Sequence, residues 1–188
     1  MGTDKASLLV NGRTMLDRVL DGLMVLDPVE TLVVGGPVRI FDIGGRRHVV
    51  DTWPGEGPLG GVVTALRASS SDLVVVVPCD VPDLAGAATL VLMPMMEALA
   101  QDSSLDVVVP VIDRRRQLAV AAYRRRAGEA LTVAFEAGAR SLRDGLRGLS
   151  MGELPVTASV GRLLVDVDTP EEFDAWCAAS PGPRDVVQ

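Results

Sequence analysis

Short runs of β-branched and apolar residues, TLVVGG, HVVD, LVVVVP, LDVVVP, QLAVAAY and RLLVDVD, recur along the chain. Their apolarity is continuous rather than alternating, which marks strands covered on both faces. Between them, Met15, Leu16, Val19, Leu20 and Leu23 repeat at helical spacing, as do Leu59, Val62, Val63 and Leu66. The pattern predicts an α/β layered sheet with amphipathic helices packed on it.

The chain of 188 residues has no long Ser/Gly-rich, proline-rich or charge-block linker, so one domain over residues 1–180 is expected, with a flexible tail at 181–188. With 18 basic against 25 acidic residues the net charge is −7, which argues against a nucleic-acid partner, because backbone binding needs a clustered positive field. Cys79 and Cys177 are far apart and make no CxxC spacing, so neither a disulfide framework nor a zinc site is indicated. No stretch reaches the about 18–20 uninterrupted apolar residues of a membrane span, and no basic segment leads an apolar one at the N-terminus. A cytoplasmic protein with no membrane association is the expectation.

Local signals place the turns. Asn11-Gly12 reads as a turn, with a helix starting near Thr14. Pro94, inside GAATLVLMPMMEALA, should split or bend the helix over residues 87–100. In DTPEEFDAW, Thr169 is a good N-cap, Pro170 stands at the first helical position and Glu172 completes a capping box, so Asp166 and Asp168 are expected to close the strand before it. Asp80, after LVVVVPC, and Asp168 then both fall where a strand meets the turn before a helix, the edge at which open α/β sheets bind ligands.

A carboxylate at such a strand end is often only a cap or turn former. Two of them facing one cleft read better as a Mg²⁺ site, since that ion takes one or two protein carboxylates beside phosphate oxygens and water. Gly57, Pro58, Gly60 and Gly61 in EGPLGGVVTAL stand at a helix start, where an anion can approach the backbone; a tight turn with close helix packing explains them equally well. Asp51, ending HVVD, is a third carboxylate for the same edge or a simple turn residue, and Lys5 taken alone reads as solvated surface.

In order and spacing, the blocks MGTDKASLLVNGRTMLDRVL, PGEGPLGG, VPCDVP and DVDTPEEF resemble the nucleotidyltransferases of the molybdenum cofactor guanylyltransferase type, with QLAVAAYRRR and AGARSLRDGL matching weaker blocks. The resemblance covers nearly the whole chain. It implies a Rossmann-like three-layer sandwich with a mostly parallel central sheet, and transfer of GMP from GTP to molybdopterin with Mg²⁺ as cofactor. By the same resemblance, Lys5 contacts nucleotide phosphate, Asp51 helps form the nucleotide site, and Asp80 and Asp168 bind the metal. Gly35, in LVVGG, stands where some members have a nucleotide-contacting Asn, so any contact there is through backbone. Molybdoenzymes and other proteins of the cofactor pathway are the implied macromolecular partners. Asp166 and Asp168 stand where the family often has Asn, and the D-x-D-T-P form is frequent in related cytidylyltransferases, which leaves GTP against CTP open.

The resemblance starts inside the family's glycine-rich loop, at the Met-Gly of LAGGxSxRMG. The first strand is therefore expected to be absent, leaving a vacant position in the sheet with apolar surface and unpaired backbone groups around it. A start assigned too late and a truncated, non-catalytic relative are the two explanations. Arg114–Arg116 and Arg124–Arg126 flank QLAVAAY and read as solvated hairpin ends, and Arg140 and Arg143 are treated the same way. His48 lacks a nucleophile context, Cys79 reads as a small buried hydrophobe, and Met93, Met95 and Met96 read as helix core.

Overall fold

The structure, a computed structural model, describes residues 5–10, 12–37, 46–167, 172 and 176. A 3₁₀ turn over Lys5–Ser7 leads into strands β1 (Leu9–Val10) and β2 (Arg13–Thr14), an antiparallel pair joined through Gly12. Helix α1 (Met15–Met24) follows at once. Its start is fixed by a capping box in which Thr14 Oγ1 accepts from Asp17 N (3.0 Å) and Thr14 N donates to the Asp17 carboxylate (3.4 Å).

Strand β3 (Thr31–Val34) pairs in parallel with β4 (Arg46–Val49), and helix α2 (Pro58–Ala68) then crosses over to β5 (Leu73–Val76). Helix α3 (Leu84–Ala87), a π-helical turn over Ala88–Leu92 and helix α4 (Met93–Gln101) form one interrupted rod. The interruption falls where Pro94 predicts it: Pro94 has no N–H to donate, and Met93 N reaches back to Ala88 O instead. The remaining elements are β6 (Val107–Ile112), β7 (Arg115–Arg116), β8 (Ala121–Arg124), α5 (Ala127–Glu136), α6 (Leu142–Gly145), β9 (Met151–Val156) and α7 (Ala158–Gly161).

In the larger sheet β8 lies between β5 and β6 and runs against both, so β5 and β6 point the same way, and β9 joins β6 in parallel. The sheet is mixed, with helices on both sides and β8 reversed among strands of common direction. Alternation along the strands builds the two cores. Val107, Val109, Ala121 and Tyr123 face α2 and α5, where Leu59, Leu66, Leu131 and Phe135 cover them; Val108 and Ala122 face Val91, Leu92, Met95 and Leu99. Each fully buried side chain of this size contributes about 1.5–3 kcal/mol. The rod Leu84–Gln101 is long and apolar enough to cross a membrane, but Leu84, Ala87, Val91, Leu92, Met95 and Leu99 are all 0 % exposed against the sheet, which accounts for its apolarity.

Two strand expectations need correction. RLLVDVD forms a 3₁₀ turn over Arg162–Leu164 and leaves residues 165–167 outside any strand; Leu164 and Val167 are buried as anchors and Val165 is exposed. The strand beside β6 is MGELPV instead. Gly152 and Pro155 disguise it, yet both are tolerated because among the described residues it pairs on one side only, and a Cβ on Gly152 would lie 2.9 Å from Leu105 and 3.1 Å from Val108. Asp168, Thr169, Pro170 and the tail expected at 181–188 lie outside the described residues.

At the sheet position where a first strand is expected, the described residues leave a gap. β3–β4 and the β5-containing sheet are separate, and a cavity of about 720 Å³ lies between β3 and β5. Leu16 and Leu20 of α1, Val62 and Ala65 of α2, Val33 and Val75 line it. Consequently β5, which reads as the most apolar strand of all, is only half-buried along its length, whereas Val107–Val109 of β6 are buried. The cavity is braced at one end. Glu30, just before β3, accepts from Ser69 Oγ (3.0 Å), Ser70 N (2.6 Å) and Ser70 Oγ (2.8 Å), just before β5, while Arg47 bonds both Glu30 and the Ala68 carbonyl.

Burial pushes the Glu30 carboxyl up, but the Ser70 and Ser69 hydrogen bonds and the Arg47 charge outweigh it and hold its pKa below the ordinary 4.5. The unfolded chain therefore binds the proton more tightly, so the brace stabilises fully above pH 4.5 and is lost as the pH falls through the folded pKa. Glu30→Gln should lower the melting temperature most at neutral pH, with the gap to wild type closing in acid; a pH-independent gap would refute this origin. Tyr123, 1 % exposed, has a hydroxyl with no hydrogen-bond partner among the described residues, and burial drives its pKa up. Tyr123→Phe should raise thermal stability, by at most about 1–3 kcal/mol, and a destabilised variant in calorimetry would show that the hydroxyl is bonded.

Candidate functional site

After Val76 the chain runs on through Val77, Pro78 and Cys79 and turns at Asp80, where two prolines flank Cys79, Asp80 and Val81. The sequence places a carboxylate at the carboxyl end of β5; tertiary structure supplies its partner. Lys5 Nζ donates to Asp80 Oδ2 at 3.3 Å, with the two side chains 28 % and 17 % exposed. Asp80 Oδ1 is buried and accepts no hydrogen bond among the described residues. The Asp80 main-chain carbonyl meanwhile accepts from Val167 N at 3.0 Å, which brings Val167 to the same strand end. A buried carboxylate oxygen without a donor, beside a half-shielded ammonium group, suits a cation on one side and an anion on the other.

Behind this loop stands a strut that sequence reading missed. Trp176 Nε1 donates to Asp83 Oδ2 at 2.8 Å, Arg18 lies 4.9 Å over the Trp176 ring, and Arg18 Nε donates to Pro82 O at 3.4 Å. It holds the 80–83 turn from α1 and from the C-terminal region at once. A lone Arg on an amphipathic helix gives no sequence signal for that role.

Gly35 and Asp51 come together at the ends of β3 and β4. Gly35 has φ +75°, and a Cβ there would stand 3.5 Å from Asp51 Cβ. Gly35 N donates to Val49 O at 2.9 Å and its carbonyl meets His48 Nε2 at 3.0 Å, which gives the only histidine a structural role. Asp51 Oδ1 accepts from Trp53 N (3.0 Å) and Thr64 Oγ1 (3.2 Å), so this oxygen shapes the turn into the 52–57 loop. The other carboxylate oxygen points toward Gly35, where a Cβ would be 3.9 Å away.

The glycine loop before α2 is held from below by Arg140. Its guanidinium bonds Glu56 (2.7 Å), Phe135 O (2.8 Å) and Ala139 O (2.9 Å) and lies 4.1 Å from the Phe135 ring centroid, while Trp53 packs on Phe135 at 4.7 Å. Leu59 N donates to Arg140 O at 3.3 Å. Gly57, at φ +95°, passes so close that a Cβ would lie 2.8 Å from Arg140 O, so this glycine answers to both backbone conformation and close approach. Arg140, although exposed, is thus a brace for this loop. The arginine runs behave as hairpin ends: Arg116 pairs with Glu153 (2.6 Å), Arg124 donates to Leu105 O (3.1 Å), and Arg126 pairs with Asp106 (3.1 Å).

Among the described residues no group of three His, Cys, Asp or Glu side chains is gathered to hold a metal. Of the two expected ligands, Asp80 lies just past the carboxyl end of β5, and Asp168 lies outside the described residues.

The family model of the MobA-like NTP transferase domain matches residues 1–151. The molybdenum cofactor guanylyltransferase of Xanthomonas euvesicatoria is 31 % identical over 187 residues, 96 % of this chain and 89 % of the relative. Proteins named "Probable molybdenum cofactor guanylyltransferase" from Bacillus velezensis and Bacillus mycoides are 31 % and 28 % identical over 65 % and 64 % of this chain, which spans 61 % and 59 % of their lengths. Among solved structures, molybdopterin-guanine dinucleotide biosynthesis protein A of Archaeoglobus fulgidus aligns with TM-score 0.69 at 19 % identity, over 95 % of this chain and 93 % of its own. The 2-C-methyl-D-erythritol 4-phosphate cytidylyltransferase of Thermus thermophilus reaches 0.73 at 20 % identity, over 93 % of each chain. A Mycobacterium tuberculosis protein in complex with manganese reaches 0.67 at 16 %, over 94 % and 93 %. At such identities the structures speak for the fold alone, but the matched domain covers most of the sequence. The chain belongs to the MobA-like NTP transferase family.

Proposed function

We propose that this chain transfers GMP from GTP to molybdopterin in molybdenum cofactor biosynthesis. The observation that carries the reading is the Lys5–Asp80 pair at the carboxyl end of β5, with Asp80 Oδ1 buried and without a hydrogen-bond partner among the described residues. The name borne by the Xanthomonas relative supports the choice of substrates.

A carboxylate alone would repel a triphosphate. Asp80 becomes productive beside a divalent cation, which it would hold through Oδ1 with Asp168 as the second carboxylate; bound Mg²⁺ supplies charge neutralisation on the triphosphate oxygens. Lys5, already drawn to this corner by Asp80, offers its ammonium group to the same phosphates and offsets the charge that develops in the transition state. An oxygen of the molybdopterin phosphate attacks the α-phosphorus of GTP, a new P–O bond forms, and the bond to the bridging oxygen breaks with its electron pair leaving on pyrophosphate. The attacking phosphate is ionised at neutral pH, so no residue need act as general base, and none of the described residues is arranged as one. Asp51 and Gly35, side by side at the ends of β4 and β3, would border the nucleoside, with the free face of the Asp51 carboxylate as its polar group.

The D-V-D-T-P sequence favours a second reading, a cytidylyltransferase on the same scaffold, and CTP binding tighter than GTP would move the assignment there. Calorimetric titration with each nucleotide, with and without Mg²⁺, makes that choice, and no binding of either would favour a non-catalytic relative. Asp80→Asn should abolish Mg²⁺-dependent binding and lower turnover by about 100–1,000-fold while circular dichroism stays unchanged. A fully active Asp80→Asn protein would refute the site. Lys5→Met should weaken nucleotide binding yet keep its Mg²⁺ dependence.

A further inference from the structure

The block CDVPD carries two carboxylates, Asp80 and Asp83, and the structure gives them opposite surroundings. Asp80 has one oxygen beside Lys5 and the other buried without a hydrogen-bond partner among the described residues. Asp83 has both oxygens engaged: Oδ2 accepts from Trp176 Nε1 at 2.8 Å, and Oδ1 lies 3.9 Å from the Arg18 guanidinium. Asp83 is also the N-cap of α3, where an aspartate ordinarily accepts from an amide of the first turn, yet its side chain makes no such bond. The carboxylate is turned away from its own helix toward α1 and the C-terminal region. A side chain that gives up its local bond for two remote partners is holding something other than α3.

What it holds is the turn that aims Asp80, in which each residue is fastened. Asp80 O accepts from Val167 N at 3.0 Å, and Val81 is 1 % exposed in the core. Pro82 has a fixed φ and its carbonyl accepts from Arg18 Nε at 3.4 Å, while Asp83 O accepts from Gly86 N at 3.0 Å. Trp176 has an anchor of its own, because it packs against the Met15–Val167 cluster and lies under Arg18 at 4.9 Å. One tryptophan thus joins Val167, which grips the Asp80 carbonyl, to Asp83, which closes the turn. We infer that Asp83, Arg18 and Trp176 are positioning residues for Asp80: they fix the direction of its carboxylate and thereby set the affinity of the site for a divalent cation. This rests on the proposed reading of Asp80 as the cation-holding carboxylate, and it makes Asp83 a clasp rather than a further ligand. Partners of this kind behind a ligating group are worth about 10–100-fold in metal affinity.

The test is titration with Mn²⁺, read by electron paramagnetic resonance well below the melting transition of each variant, without nucleotide or turnover. The binding lost in Asp80→Asn defines the site. Trp176→Phe keeps the ring under Arg18 and the net charge but removes the N–H, and it should weaken that binding by at least about tenfold. Asp83→Ala should do the same, whereas Asp83→Asn, which loses the charge but keeps an oxygen for Trp176, should retain most of the affinity. The double variant Trp176→Phe/Asp83→Ala should bind no more weakly than Asp83→Ala alone, because both changes break one bond. Trp176→Phe, the mildest change, carries the test if Asp83→Ala does not fold. Wild-type affinity in a folded Trp176→Phe protein would overturn the inference and leave the role of Asp80 standing. Equal losses in Asp83→Asn and Asp83→Ala would also overturn it, by showing that the Asp83 charge acts on the cation directly. A wild-type protein with no Asp80-dependent Mn²⁺ binding would remove the proposed role of Asp80 and the inference with it.

Discussion

A strand inside a layered sheet has four sides to satisfy: two faces that must be covered with apolar groups and two edges that must find hydrogen-bond partners. β6 and β8 meet all four demands, and their residues Val107, Val108, Val109, Ala121, Ala122 and Tyr123 are buried as a result. Among the described residues, β3 and β5 meet three. The helices pack where they do because both faces of this sheet need cover, and the half-buried state of β5 follows from the single unpaired edge.

The same constraint explains why so much polar hardware surrounds an apolar gap. Glu30, Ser69, Ser70 and Arg47 bridge β3–β4 to the start of β5 at one end, and Ala6 and the Lys5–Asp80 pair bridge the other. Among the described residues no strand joins the two sheets, and α1, α2 and these braces carry the connection. The candidate site is built on that connection: Lys5 comes from one side of the gap, Asp80 from the other, and Asp51 and Gly35 lie at the ends of β4 and β3. Its geometry is therefore coupled to whatever fills the gap.

Support for the site comes from side chains remote in sequence. Arg140 fixes the 52–57 loop through Glu56 and the Phe135–Trp53 stack, and Arg18 with Trp176 fixes the turn at Pro82 and Asp83. Arginine contacts to carbonyls position a loop with little freedom because the guanidinium is planar and pre-organised. Each brace reaches the functional loop from an element with no chemistry of its own.

By itself the sequence determined the layered α/β class, the strands at LVVVV and LDVVV, the helix starts at Thr14 and Pro58, the break at Pro94 and the position of Asp80 at a strand end. These are legible because hydrophobic period, proline and capping chemistry act over a few residues. Only the tertiary structure decided that RLLVDVD is a turn, since two buried anchors cannot be told from a strand's in so short a run, and that MGELPV, with its glycine and proline, pairs with β6. It also decided that Lys5 meets Asp80 across 75 positions of sequence and that Arg140 is a brace. Such pairings depend on which ends the sheet brings together, and no local pattern of residues encodes the distance between them.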